Sequence, residues 1–147
     1  MTLVHHNVKK LEEMNNLLMQ ISSEFYSRPL EILSGSSIGQ HFRHIFEFYT
    51  SLEDGVGTGT VCYDDRERNP LLETDVDQAR AAIGRLIHFI QALERDQALT
   101  MKADYSTRNQ EPALIQTSVY REMAYALDIR YITLPLSRLR YRNKRKK

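Results

Sequence analysis

The chain has 147 residues, 41% of them hydrophobic and 27% charged, the make-up of one soluble domain large enough to bury a core. Its apolar runs fall well short of the roughly 18 residues that a membrane span needs. No apolar stretch follows the first charges as it does in a signal peptide, so a cytoplasmic protein with no membrane segment is expected. One cysteine, Cys62, rules out an internal disulfide, and Asp64 and Asp65 beside it disfavour a reactive thiolate.

The net charge of +1 conceals an asymmetry. Residues 138–147 hold seven Lys and Arg and no acid, while the other 137 residues carry 13 basic against 19 acidic side chains, a net of −6. The chain therefore reads as one domain over residues 1–137 and a disordered basic tail over 138–147. The tail has the charge for phosphate contacts and, in Tyr141, a ring that can stack on a base. Such termini are commonly just solvated, and the acidic body argues against specific nucleic-acid binding.

Four segments have helical periodicity. The first runs from about Asn7 to Tyr26, with Val8, Leu11, Met14, Leu17 or Leu18, Ile21 and Phe25 at three- and four-residue steps. His5 and His6 precede it as a solvated pair. The second follows Ser34-Gly35-Ser36, with Ser36 or Ser37 as N-cap, and runs to about Asp54, where Gly55-Val56-Gly57-Thr58-Gly59 breaks it. Its apolar stripe is Ile38, Phe42, Ile45, Phe46, Tyr49 and Leu52.

A long connection, about residues 55–73, leads to the third helix. It is capped by Thr74 with Asp77 three residues on, extends to about Glu94, and turns Val76, Ala79, Ile83, Leu86, Ile87 and Ile90 inward. His88 is a helix-surface or boundary residue. Residues 98–103 alternate as a short strand would, and 114–117 are suited to pair with them across a polar turn at 106–110. The fourth helix starts near Thr117 or Ser118 and includes Tyr120, Met123, Ala124, Leu127 and Tyr131. The economical fold is an all-α four-helix bundle with a long crossover between the second and third helices and room for a β-hairpin before the fourth.

The second helix carries the chemistry. His41 and His44 are three residues apart and Glu47 is three further on, so all can lie near one helical face. A His-x-x-His pair can chelate a metal, but a stable site needs three or four ligands from at least two elements. Elsewhere, the charged run Asp64, Asp65, Arg66, Glu67 and Arg68 reads as an ion-paired loop. Tyr26, Tyr49 and Tyr125 either pack or line a cleft between helices. There is no glycine-rich phosphate loop, Ser/His/Asp pattern or Cys-x-x-Cys.

The segment Ser36-Ser37-Ile38-Gly39-Gln40-His41-Phe42-Arg43-His44-Ile45 resembles the start of helix two in the DinB-like (DinB/YfiT) superfamily. Tyr63-Asp64-Asp65-Arg66-Glu67-Arg68-Asn69 with Glu73-Thr74-Asp75 resembles the crossover of one subgroup, and Ser118-Val119-Tyr120-Arg121-Glu122-Met123 the start of its last helix. The similarity spans roughly residues 10–128. It implies an up-down-down-up four-helix bundle, often a homodimer, with a divalent metal, Zn or Ni, on three histidines. It also implies a small molecule or low-molecular-weight thiol in the inter-helix cleft. Family activities include thiol-dependent transfer and isomerisation, in which the metal acts as a Lewis acid or lowers the pKa of a bound thiol or water.

Residue by residue, the resemblance matches His44 to the helix-two ligand and Glu47 to the acidic position that follows it. His41 is a subgroup feature and a less certain ligand. The remaining two ligands, a His-x-x-x-His pair on helix four, align with Ile129 and Thr133, neither of which supplies a donor of the required kind. The implied metal site is incomplete, with weak metal affinity and no catalysis expected. Pro135 should also break or kink the helix there.

A single-base frameshift near Leu127 or Asp128 would account for the gap. Codons 128–136, read one frame over, permit His-Thr-Ile-His-His-Leu-Ala-Ile, provided that the third bases at Asp128, Tyr131 and Ile132 are all C. The rival account is a natural lineage that lost its site. Beside the degenerate enzyme stands the alternative of a non-enzymatic binding or dimerisation bundle.

Overall fold

Each long helix begins at a side chain that satisfies its first free amides. The computed structural model describes residues 2–64, 68–103 and 111–129. Helix α1, Leu3–Leu18, is capped by Thr2, whose hydroxyl accepts from the His5 amide at 3.1 Å. His5 and His6 are therefore in its first turn, not ahead of it, and both are exposed. The single helix expected through Tyr26 is two: α1 ends at Leu18, and α2, Ser23–Ser27, starts afresh where the Ser22 hydroxyl accepts from the Phe25 amide. The apolar spacing continues across this break, but serines offer the backbone a local alternative to helix.

A short 3-10 turn, Glu31–Leu33, leads to α3, Ile38–Thr58. Ser37 and Gln40 form a capping box there, each side chain accepting from the other's amide at 3.0 Å. All six residues of the expected stripe are buried. The helix does not break at Gly55; it runs on to Thr58 and closes at Gly59, whose φ of 83° is the left-handed conformation that glycine adopts freely.

The chain then turns into β1, Thr60–Val61, laid back along the helix, where a Cβ on Gly55 would lie 3.0 Å from that of Val61. The crossover ends in α4, Leu71–Thr74, and α5, Val76–Gln91. The cap of α5 is Asp75 instead of Thr74, its Oδ1 accepting from the Asp77 and Gln78 amides at 2.9 and 3.2 Å.

β2, Ala98–Ala103, and β3, Ala113–Ser118, form the expected antiparallel pair, and β1 adds in parallel to β2, with Thr60 opposite Thr100. The described residues are thus mostly helical, but not all-α as expected: a three-stranded sheet, order β1-β2-β3, is built into one end. A two-residue strand leaves no periodic signature, which is why β1 went unexpected. Ser118 caps α6, Val119–Asp128, its hydroxyl accepting from the Arg121 amide. Its inner face is Val119, Glu122, Met123 and Ala126; Ala124, expected on the apolar stripe, is exposed.

The core lies where α1 and α3 each pack against both α5 and α6. Tyr26, Phe42 and Phe46 meet edge to face at centroid distances of 6.0 and 6.1 Å. Buried Asn7 is satisfied on both ends, accepting from the Tyr49 hydroxyl at 2.5 Å and donating to the Leu3 carbonyl at 2.9 Å. No helix of the described residues is long and apolar enough to cross a membrane.

The relative direction of α3 and α6 matters for function. Gln97 donates to the Val56 carbonyl near the end of α3 and accepts from the Val119 amide at the start of α6. Phe48, about 12 Å back along α3, meets Tyr125, about 9 Å forward along α6, at 5.8 Å between ring centroids. The two helices are therefore antiparallel. His44, one turn before Phe48, is level with Ile129, one turn beyond Tyr125.

Candidate functional site

Four positions of Ser37-Ile38-Gly39-Gln40-His41 have structural tasks. Ser37 and Gln40 make the capping box and Ile38 is fully buried. At Gly39 a Cβ would lie 2.0 Å from the backbone oxygen of Glu73, so only glycine admits α4 to this face of α3. The same short helix is also held by the Tyr26 hydroxyl, donating to the Leu72 carbonyl at 2.5 Å.

The expected ligands project from the next turns of α3. His41 is half-buried and His44 is exposed. Burial first, and then the charge of His44, lower the pKa of His41 below the ordinary histidine value. Glu47 is buried, and its Oε1 lies 3.3 Å from Nε of Arg43. Arg43 also donates through Nη1 to Oε2 of Glu73 at 2.5 Å. Arg43 thus links Glu47, the carboxylate expected as a weak ligand or metal neighbour, to the crossover helix.

One turn beyond His44 on α3, Phe48 stacks on Tyr63 with centroids 4.5 Å apart and planes 9° from parallel. The Tyr63 hydroxyl donates to Oε2 of Glu122 at 2.6 Å, and the Thr117 hydroxyl donates to Oε1 at the same distance. Burial, the hydrogen bond to Glu122 and the nearby charge push the Tyr63 phenol well above the usual range, so it stays a neutral donor. Glu122 is buried at 7% exposure with both oxygens occupied, whereas Tyr125 beside it is 60% exposed. Glu122 and Thr117 were not expected here. The available signal was a carboxylate in phase with Val119, Met123 and Ala126. Another unexpected contact joins α1 to α6: Nζ of Lys10 donates to the Ala126 carbonyl, and burial lowers the pKa of this lysine to about 8, with Asp128 opposing the shift.

The remaining candidates are scattered. Tyr26 and Tyr49 are fully buried, and burial raises both phenols, as befits packing residues. His88 is exposed on α5, and Cys62 is a half-buried free thiol. Asp65, Arg66, Glu67, the turn at 106–110, Tyr131, Thr133, Pro135 and the basic tail lie outside the described residues. Ile129 is the half-buried C-cap of α6 and offers only hydrocarbon level with His44.

Among the described residues no three His, Cys, Asp or Glu side chains are grouped to hold a metal ion. Among the described residues His41 and His44 are imidazoles of one helix, short of the three or four ligands from at least two elements that a stable Zn or Ni centre needs. The arrangement offers instead a half-buried imidazole, an exposed imidazole and the exposed ring of Tyr125, packed on buried Phe48, whose stack on Tyr63 a buried carboxylate holds. No protein-family model, curated protein or solved structure matches this chain.

Proposed function

We propose that the chain is a DinB-like four-helix bundle of up-down-down-up topology, drawn from a family of thiol-dependent metalloenzymes, whose own residues leave the metal site incomplete. The observation that supports this reading is the register of α3 and α6: His44, the residue matched to the family's helix-two ligand, is level with Ile129. One or two imidazoles on a single helix bind divalent metal weakly, so no metal-dependent step is assigned to this chain.

A second reading is favoured by the surface around Tyr125. There the exposed Tyr125 ring lies against buried Phe48, whose stack on Tyr63 is held by Glu122, one turn along α3 from exposed His44. That is the equipment of a non-enzymatic binding module. Elemental analysis of purified protein separates the two families of outcome. Substoichiometric Zn and Ni, unchanged by His44→Ala, is expected. Stoichiometric metal that is lost in His44→Ala would restore the enzyme reading.

A further inference from the structure

The hairpin of β2 and β3 reaches past the helices. Ala113, Leu114, Ile115 and Gln116 are all exposed, with Leu114 at 69% and Ile115 at 37%, so neither face of this part of β3 is covered by the described residues. β3 is also an edge strand, paired on one side only among the described residues.

The hydrogen-bond phase of that edge follows from one contact. The Val119 amide donates to the Gln97 carbonyl, so the pair 97–119 is a bonded one. In an antiparallel ladder bonded pairs alternate, so Leu99–Thr117, Met101–Ile115 and Ala103–Ala113 are bonded pairs. Leu114 and Gln116 then direct their amides and carbonyls away from β2. The Thr100 amide, which donates to Gly59 on the far side of β2, agrees with this phase.

Monomeric edge strands are usually guarded by a charge, a proline or a bulge. From Ala113 to Ser118 there is no charge and no proline, and the register with β2 is unbroken. Pro112 stands just outside.

We propose that the outer edge of β3 pairs antiparallel with β3 of a second copy about a two-fold axis, joining two three-stranded sheets into one of six strands. A second copy suits this edge because the strand is compatible with itself. With Ile115 on the axis, Leu114 of each chain exchanges both backbone bonds with Gln116 of the other, and no like charges meet. Moving the axis to Leu114 would set Gln116 against Pro112, which has no amide. Moving it to Gln116 would call on the Ser118 carbonyl, which begins α6. Centring on Ile115 therefore uses the free groups without loss, and the two Ile115 side chains shelter each other.

Sedimentation equilibrium of the full chain across micromolar concentrations tests the pairing. The wild type is expected to dimerise. Ile115→Lys, which sets two charges on the axis, and Gln116→Pro, which deletes an outward amide without touching the bonds to β2, should each raise the dimer dissociation constant at least tenfold while circular dichroism stays unchanged. In a Cys62→Ser background, Ile115→Cys should form an intermolecular disulfide on mild oxidation, because directly opposed non-bonded pairs bring their Cα atoms within about 5 Å. A wild type that remains monomeric to 100 μM, as an approximate upper test concentration well above common dimer constants, overturns the proposal. So does a dimer that withstands both substitutions or does not cross-link through Cys at position 115.

Discussion

Replacing Gly39 by alanine sets two effects of opposite sign against each other. Alanine at an ordinary exposed helix position is more stable than glycine by about 0.5–1 kcal/mol, because it restricts the unfolded backbone. At Gly39 the new Cβ would sit 2.0 Å from the Glu73 oxygen, 2.7 Å from its carbonyl carbon and 2.9 Å from its Cα. These are backbone atoms, so no side chain can swing aside, and α4 must retreat by about 1.5 Å to restore ordinary contact. That retreat strains the hydrogen bond from Tyr26 to the Leu72 carbonyl, the Arg43–Glu73 ion pair and the bond from the Val76 amide to the Ser23 hydroxyl. Losing a buried hydrogen bond costs about 1–3 kcal/mol and a partly exposed ion pair about 0.5–1. After the helix-propensity gain, a net destabilisation of about 2–3 kcal/mol remains, or a fall in Tm of about 6–9 °C for a chain of this size. Gly84 in α5 is the control, since nothing lies within 4 Å of a Cβ built there. Gly84→Ala should raise Tm by about 2–3 °C. Calorimetry of both variants reads the difference; equal and positive shifts would refute the close packing of α4 on Gly39.

Tyr63→Phe keeps the ring stack on Phe48 but deprives Glu122 of one of its two donors, and should cost about 1.5–3 kcal/mol in urea unfolding. A loss below about 0.5 kcal/mol would mean that water replaces the hydroxyl. His41 has a depressed pKa when folded, so its contribution to stability is present above the unfolded value of 6.5 and is lost as pH falls through the folded one. His41→Gln should flatten the stability profile on the acid side of neutrality, and an unchanged profile counts against the burial of this ring. Lys10 follows the same sign at higher pH. Its folded pKa of about 8 lies below the ordinary 10.5, so between pH 8 and 10 the unfolded chain holds more protons and stability rises with pH. Discounted for partial exposure, that rise is about 1–2 kcal/mol. Lys10→Met should abolish it, while a persisting slope would assign it to another group.

Much of the helical content was legible in short windows. Ser37 and Ser118 cap helices because a hydroxyl reaches amides two or three residues on, and the stripe from Ile38 to Leu52 is buried because 3.6-residue periodicity puts those side chains on one face. The hairpin followed from alternation. Where local signals competed they misled: the stripe through Ile21 and Phe25 hid the break at Ser22, and the glycines after Asp54 suggested an early end to a helix that continues to Thr58.

What only the tertiary structure decided depends on groups far apart in the chain. Gly39 is a weak helix former until Glu73 is brought against it, and Glu122 is an ordinary helix-surface carboxylate until Tyr63 and Thr117 close over it. Likewise, His41, His44 and Glu47 share a helix by spacing alone, but what they face is set by the antiparallel register of α3 and α6. Periodicity specifies which side of a helix is buried; only packing specifies which turn of its neighbour lies opposite. That register brings Ile129, a side chain with no donor, level with His44.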